Sequence, residues 1–160
     1  MNLRYMNTRD LVKNVIVAVI YAAITYAFSW MAYGQVQFRI SEVLVLLAFI
    51  NRKYIPGLVL GCVLANLYSP FGIVDVVFGS LATYITVYLI SRTKNLFIAS
   101  LWPTVNSIFV GVELWYFLHT PIWINTLYVA FGEFVVVTLV GYPLFKLLMK
   151  NESLMKELKN

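Results

Sequence analysis

At 160 residues the chain is sized for one domain (1–160), and 61% of it is hydrophobic, well above the roughly 45–50% of soluble domains, so its organising solvent is lipid. Twelve Lys and Arg against seven Asp and Glu give a formal charge of +5, but the basic residues are confined to short loops and termini, which argues against a nucleic-acid surface. Cys62 is the only cysteine and His119 the only histidine, which excludes a disulfide and leaves no metal site without carboxylate help.

Six apolar segments follow one another at about 11–32, 40–50, 54–69, 73–91, 96–118 and 123–148. A helix needs about 20 residues to span a bilayer; segments one, four, five and six meet this and segment three nearly does. The first follows Arg4, Arg9 and Lys13 and is too long for a signal-peptide core, so it reads as a retained helix. Ala18 and Ala22 form a small-xxx-small pair on it, with Ala23 and Ala27 behind, a pattern that lets another helix approach closely. The second segment, Ile40 to Ile50, is only 11 residues, roughly 16 Å as a helix. It reads as a short helix shielded by its neighbours or as a re-entrant piece. Pro56 and Pro143 fall near helix ends, whereas Pro103 lies inside the fifth segment, where it frees the carbonyl of Ala99 and invites a kink. The tail Asn151–Asn160, with Glu152 and Lys156 at helical spacing, reads as a solvated end of the last helix.

Charge decides how the segments thread the bilayer. If all six cross, eleven of the twelve basic residues share one side: Arg4, Arg9, Lys13, Arg52, Lys53, Arg92, Lys94, Lys146, Lys150, Lys156 and Lys159. Only Arg39 falls on the other. The excess of Lys and Arg makes the first side cytoplasmic. The expected architecture is an all-α membrane protein, a bundle of six transmembrane helices with a short second helix and both termini in the cytosol, located in the cell membrane as a multi-pass chain.

On this topology, polarity collects at the bilayer midplane and beyond it on the outer side. Gln37, Arg39, Ser41 and Glu42 occupy the first outer loop and the entry of segment two, Asn66 the outer end of segment three, and Asp75 the outer start of segment four. Asn106 lies near the middle of segment five, Glu113 about 10 Å further out, and Glu133 near the middle of segment six. A charge near the bilayer centre costs about 2.5–3.5 kcal/mol on insertion scales, so such residues face a bundle interior and mark a functional site. Each also has a plainer use. Ser41 and Glu42 suit a helix cap, Arg39 and Glu42 an i,i+3 pair, Asp75 a helix-dipole partner and Asn66 an interhelical contact. Glu113 and Glu133 have no Lys or Arg at their depth. Trp102, Asn106, Phe109 and Glu113 share one helical stripe, a combination of rings, amide and carboxylate that suits a planar heterocycle.

Four carboxylates against one arginine make an acidic, outward-facing pocket, matched to a ligand with several N–H donors and a positive charge, such as the edge of a guanine. No P-loop, H-E-x-x-H or G-x-S-x-G is present, so the chain reads as no enzyme, needs no cofactor, and would depend on another subunit for ATP-driven transport.

The stretches Val36-Gln37-Phe38-Arg39-Ile40-Ser41-Glu42, Ile55-Pro56-Gly57-Leu58 with Gly61-Cys62 and Ala65-Asn66-Leu67, and Asp75-Val76-Val77-Phe78-Gly79-Ser80-Leu81-Ala82-Thr83 resemble the QueT family. These are substrate-binding S components of energy-coupling factor (ECF) transporters, associated with queuosine precursors such as 7-aminomethyl-7-deazaguanine. The resemblance covers most of the chain. It implies capture of substrate at the outer face, followed by delivery through a membrane T component and two cytoplasmic ATPases, with the S component toppling in the membrane. It also implies that Gln37, Arg39 and Glu42 belong to a loop covering the site, that Asn66 and Asp75 lie in matching motifs, and that Ala18 and Ala22 match the position where S components touch the T component. Other vitamins, riboflavin or thiamine among them, are the alternative within this class. A stand-alone transporter using the carboxylates as proton relays is the alternative outside it.

Overall fold

The computed structural model describes residues 6–33 and 36–159, and each element among them is a helix; Arg4, counted above among the cytoplasmic cations, lies outside this range. The elements are α1 (Thr8–Ala27), α2 (Ser29–Ala32), α3 (Ile40–Ile50), α4 (Ile55–Asn66), α5 (Ile73–Arg92), α6 (Leu96–Leu118), α7 (Ile122–Leu148) and α8 (Glu152–Lys159). Four of them, α1, α5, α6 and α7, are long and apolar enough to cross a membrane. The helices α3 and α4 fall short of that length at 11 and 12 residues.

The faces of α1 are inverted relative to a helix in water. Asp10, Asn14, Ala18, Tyr21, Ala22 and Thr25 point inward, while Leu11, Val15, Ile16, Val19 and Ile20 are exposed. This is the pattern expected in lipid, where small residues and polar bonds, rather than apolar burial, bring helices together. The inward stripe meets α4 so closely that a Cβ on Gly57 would stand 2.6 Å from the Asn14 carbonyl oxygen, and one on Gly61 would stand 2.7 Å from Tyr21 Cβ and 3.1 Å from Ala18 Cα. Ala18 and Ala22 are therefore buried within their own chain. The outward face of α1 instead carries Ala23 and Ala27. Asn14 bonds the seam together, accepting from Gly57 N at 2.6 Å and donating to Lys53 O at 2.8 Å.

The start of α1 is fixed by a capping box between Asn7 and Asp10. The second apolar segment is only partly α-helical: Ile40–Leu46 is wound as 3₁₀ helix and Leu47–Ile50 as α. The 3₁₀ turn rises about 2.0 Å per residue, so the segment reaches roughly 20 Å rather than 16 Å. Val45, Leu46 and Ala48 of α3 sit in the core with Tyr21, Leu58 and Val87. The third segment ends at Asn66, three residues before the boundary expected from hydropathy, and α7 carries a π-helical stretch, Phe134–Gly141.

The tail is not a solvated extension of α7. It forms a separate helix, α8, folded back on the start of α1. Met155 is buried and Leu158 packs on the core. Glu157 accepts from Arg9 Nη2 at 2.6 and 2.7 Å and lies 3.1 Å from Lys13 Nζ, and Asn51 Nδ2 donates to Lys159 O at 3.0 Å.

Two consequences are testable. Replacement of Gly61 by Ala puts a methyl group where Tyr21 stands; overpacking of this kind costs about 1–3 kcal/mol, and a thermal shift assay on the purified protein should show a lowered midpoint. The hydrogen bonds from Arg9, and then Lys13, hold the Glu157 carboxyl below its usual range. A depressed carboxylate pKa stabilises the docked tail at all pH values above the unfolded value of about 4.3. That contribution is lost as pH falls through the lower, folded value. Hydrogen-exchange protection of Glu152–Lys159, measured relative to the intrinsic rate at each pH, should accordingly be high at neutral pH and fall below about pH 4, and Glu157→Gln should show lower protection at neutral pH.

Candidate functional site

A pocket partly open to solvent, with about 420 Å³ of free space when its open mouth is included, lies between the 37–39 loop and helices α3, α5, α6 and α7. The loop contributes Gln37 and Arg39, and α3 contributes Glu42. Along α5, Asp75, Gly79, Ala82, Thr83 and Thr86 line it, a single helical face at i, i+4, i+7, i+8 and i+11. Pro103, Asn106, Ser107 and Val110 come from α6, and Val129 and Glu133 from α7.

Six of the eight residues expected at the site thus converge: Gln37, Arg39, Glu42, Asp75, Asn106 and Glu133. Asn66 and Glu113 do not line the cavity. Asn66 is fully buried and donates from Nδ2 to Asp75 O at 2.9 Å and to Cys62 Sγ at 3.4 Å, so it ties the end of α4 to the first turn of α5. Glu113 lies seven residues past Asn106, about 10 Å further along α6, and is buried with neither carboxylate oxygen hydrogen-bonded among the described residues. The aromatic members of the expected α6 stripe also leave the site. Phe109 is exposed, and Trp102 packs on the core with its Nε1 donating to Thr93 Oγ1 at 2.8 Å. Among the described residues no aromatic ring lines the cavity.

Local bonding sets what each group offers. Glu42 accepts a hydrogen bond from the fully buried Tyr21 hydroxyl, and Ser41 Oγ lies 2.7 Å from Thr25 Oγ1, so α3 is fastened to α1 through both residues. Ser41 and Glu42 make no side-chain cap for α3, and among the described residues Arg39 makes no ion pair with Glu42. Asn106 donates from Nδ2 to Ala82 O and to Thr86 Oγ1, both at 2.6 Å. With both N–H groups engaged, it presents a carbonyl oxygen, an acceptor. Glu133 stands where α7 changes from α to π winding, an irregularity frequent at functional sites; its Oε2 is buried with no partner among the described residues.

The loop is held down over the site. Phe38 N donates to Met31 O at 3.0 Å, the Phe38 and Phe131 rings meet edge to face at 6.1 Å, and the Arg39 guanidinium sits 5.6 Å from the Tyr33 ring centroid. Tyr33 in turn donates to Ala65 O at 2.6 Å. Beneath the loop, Gly132 touches Gln37 so tightly that no Cβ fits between them. Tyr21, Thr83, Thr86 and Ser107 were not singled out by sequence reasoning. The usable signal for the threonines was their helical phase with Asp75 on an otherwise apolar helix. Among the described residues no group of His, Cys, Asp and Glu is arranged to hold a metal ion.

A family model described as QueT transporter matches residues 11–150. The chain is similar to a protein of Lactococcus lactis subsp. cremoris (strain MG1363) named queuosine precursor transporter QueT, at 31% identity over 157 aligned positions covering 88% of this chain and 92% of the relative. No solved structure matches.

The tight fit beneath the loop yields a prediction that needs no ligand. Alanine is favoured over glycine inside a helix by about 1 kcal/mol, so Gly132→Ala should not weaken α7 itself. Its methyl group displaces Gln37, and hydrogen exchange at residues 36–39 should accelerate while the rest of α7 stays protected.

Proposed function

The chain belongs to the QueT transporter family, and from that premise we propose that it is the substrate-capture S component of an ECF-type importer, binding a queuosine precursor of the 7-aminomethyl-7-deazaguanine type in the cavity described above. Members of this family are transporters, not enzymes, and the chain is a multi-pass membrane protein. The observation that carries the reading is the cavity's charge. Three carboxylates, Glu42, Asp75 and Glu133, and the acceptor oxygen of Asn106 share the cavity with one arginine. A surround rich in acceptors selects a ligand rich in N–H donors and carrying a positive charge. A deazaguanine base supplies the donors and its aminomethyl group the charge.

In this proposal all six apolar segments cross the membrane, with α3 and α4 shielded by their longer neighbours, both termini in the cytosol and the cavity opening outward. Energy comes from a membrane T component and two cytoplasmic ATPases, since the chain has no nucleotide-binding loop of its own. With Ala18 and Ala22 buried, the outward face of α1, bearing Ala23 and Ala27, is the face of that helix open to a T component.

Calorimetric titration of the purified chain with 7-aminomethyl-7-deazaguanine, alongside guanine, riboflavin and thiamine, tests the reading. Tight and selective binding of the deazaguanine by the lone subunit is expected. Tight binding of a vitamin instead would keep the capture role and replace the substrate. Binding of none, with uptake by this chain alone following a pH gradient, would favour the proton-coupled transporter. Within the cavity, Glu133→Gln should weaken deazaguanine binding by about 1.5–3 kcal/mol, the range for a hydrogen bond to a charged group. Glu113→Gln, outside the cavity, should leave affinity within about threefold, a change below roughly 0.7 kcal/mol.

A further inference from the structure

Arg39 is only 7% exposed and lines the cavity, yet among the described residues its Nε has no hydrogen-bond partner. It shares the cavity with Glu42, Asp75 and Glu133, and among the described residues it closes an ion pair with none of them. The Tyr33 ring beside it, 5.6 Å away, can steady the guanidinium plane but accepts no conventional hydrogen bond. In the same cavity Glu133 Oε2 is likewise buried and unpartnered. Two neighbouring polar groups are already engaged, Glu42 by Tyr21 and the N–H groups of Asn106 by Ala82 and Thr86. A buried guanidinium and carboxylate left unpaired are strongly destabilising unless something satisfies them. One donor and one acceptor, unpaired around one cavity, are complementary to a neutral group that carries an acceptor and a donor side by side.

We propose that Arg39 and Glu133 together read a ring lactam, Arg39 Nε–H donating to the C=O and Glu133 Oε2 accepting from the adjacent ring N–H. This rests on the capture reading above and deepens it, because it assigns the base's specificity to two residues. Glu42 and Asp75 are then left for the ligand's positive charge, and the Asn106 oxygen for a further N–H. The site distinguishes a guanine-type ring from a diamino ring of the same shape, in which the acceptor becomes a donor and the ring N–H is lost.

The experiment compares two ligands on the purified full chain by calorimetry: 7-aminomethyl-7-deazaguanine and its 2,6-diamino counterpart. Sites built to hydrogen-bond a polar edge reject ligands lacking it by large factors, so the parent should favour the lactam by at least about 100-fold. In Arg39→Gln and in Glu133→Gln that ratio should fall below about tenfold, whereas a purely structural residue would lower both affinities and leave the ratio intact. An N1-methyl form of the deazaguanine keeps the carbonyl and removes the ring N–H; it should bind the parent at least about tenfold more weakly, which tests the Glu133 half without any substitution. Equal binding of the two main ligands by the parent overturns the proposal, as does an unchanged ratio in both variants. A parent that binds neither ligand overturns the capture reading itself, an outcome distinct from tight binding without discrimination.

Discussion

In a lipid solvent the burial of apolar surface gives helices no reason to meet, so close backbone approach and a few polar bonds must hold the bundle together. The seam between α1 and α4 concentrates both, and the rest of the structure depends on it. Gly57 and Gly61 leave room for Asn14, Ala18 and Tyr21 to lie almost on the α4 backbone. Asn14 uses its side chain to bond α4 and the turn before it. Tyr21, fixed in that seam, reaches Glu42, and Thr25 one turn later reaches Ser41. A short, partly 3₁₀ helix with little surface of its own is thereby fastened in register, with its carboxylate turned into the cavity.

The cavity wall is built by the same means. Asn66 ties α4 to the first turn of α5, and Gly79 makes way for the Asn66 and Asp75 side chains. Asn106 joins α6 to α5 through Ala82 and Thr86, and Thr138 joins α7 to α6 through Ser100 O at 2.9 Å. These bonds use the donors of the wall and leave acceptors facing inward, so the electrostatic character of the site follows from how the helices are joined. Over it the 37–39 loop rests on Gly132, where even a methyl group would not fit. At the opposite end of α1 the chain adds a second fastening: α8 docks through Met155, Leu158 and Glu157, while Asp10 holds Lys53 at 3.0 Å.

Much of this was legible in the sequence, for one physical reason. Ionisable groups are expensive in hydrocarbon, so Glu42, Asp75 and Glu133 could be recognised as interior residues from their neighbours alone, and Arg39 and Gln37 from their place beside Glu42. The apolar segments likewise gave α5, α6 and α7 nearly to the residue. Helical phase on α6 correctly put Asn106 and Glu113 on an inward face. It also promised rings for stacking, and there it failed: Phe109 lies at the edge of that stripe and is exposed, while Trp102 serves the core. Glu113 shows the other limit, because sharing a face fixes direction but not depth, and two helical turns carry it beyond the cavity.

The sequence by itself determined the solvent, the helical class, the family and three of the carboxylates that line the cavity, because each of these is written in composition and local pattern. Tertiary structure alone decided which side chains meet. It turned Ala18 and Ala22 inward against α4, spent the N–H groups of Asn106 on α5, kept Arg39 apart from its carboxylate neighbours and folded the tail back onto α1. None of these follows from spacing along one helix. They depend on how far neighbouring backbones approach, which is set by glycines on one helix and small or polar side chains on another, distant in the chain.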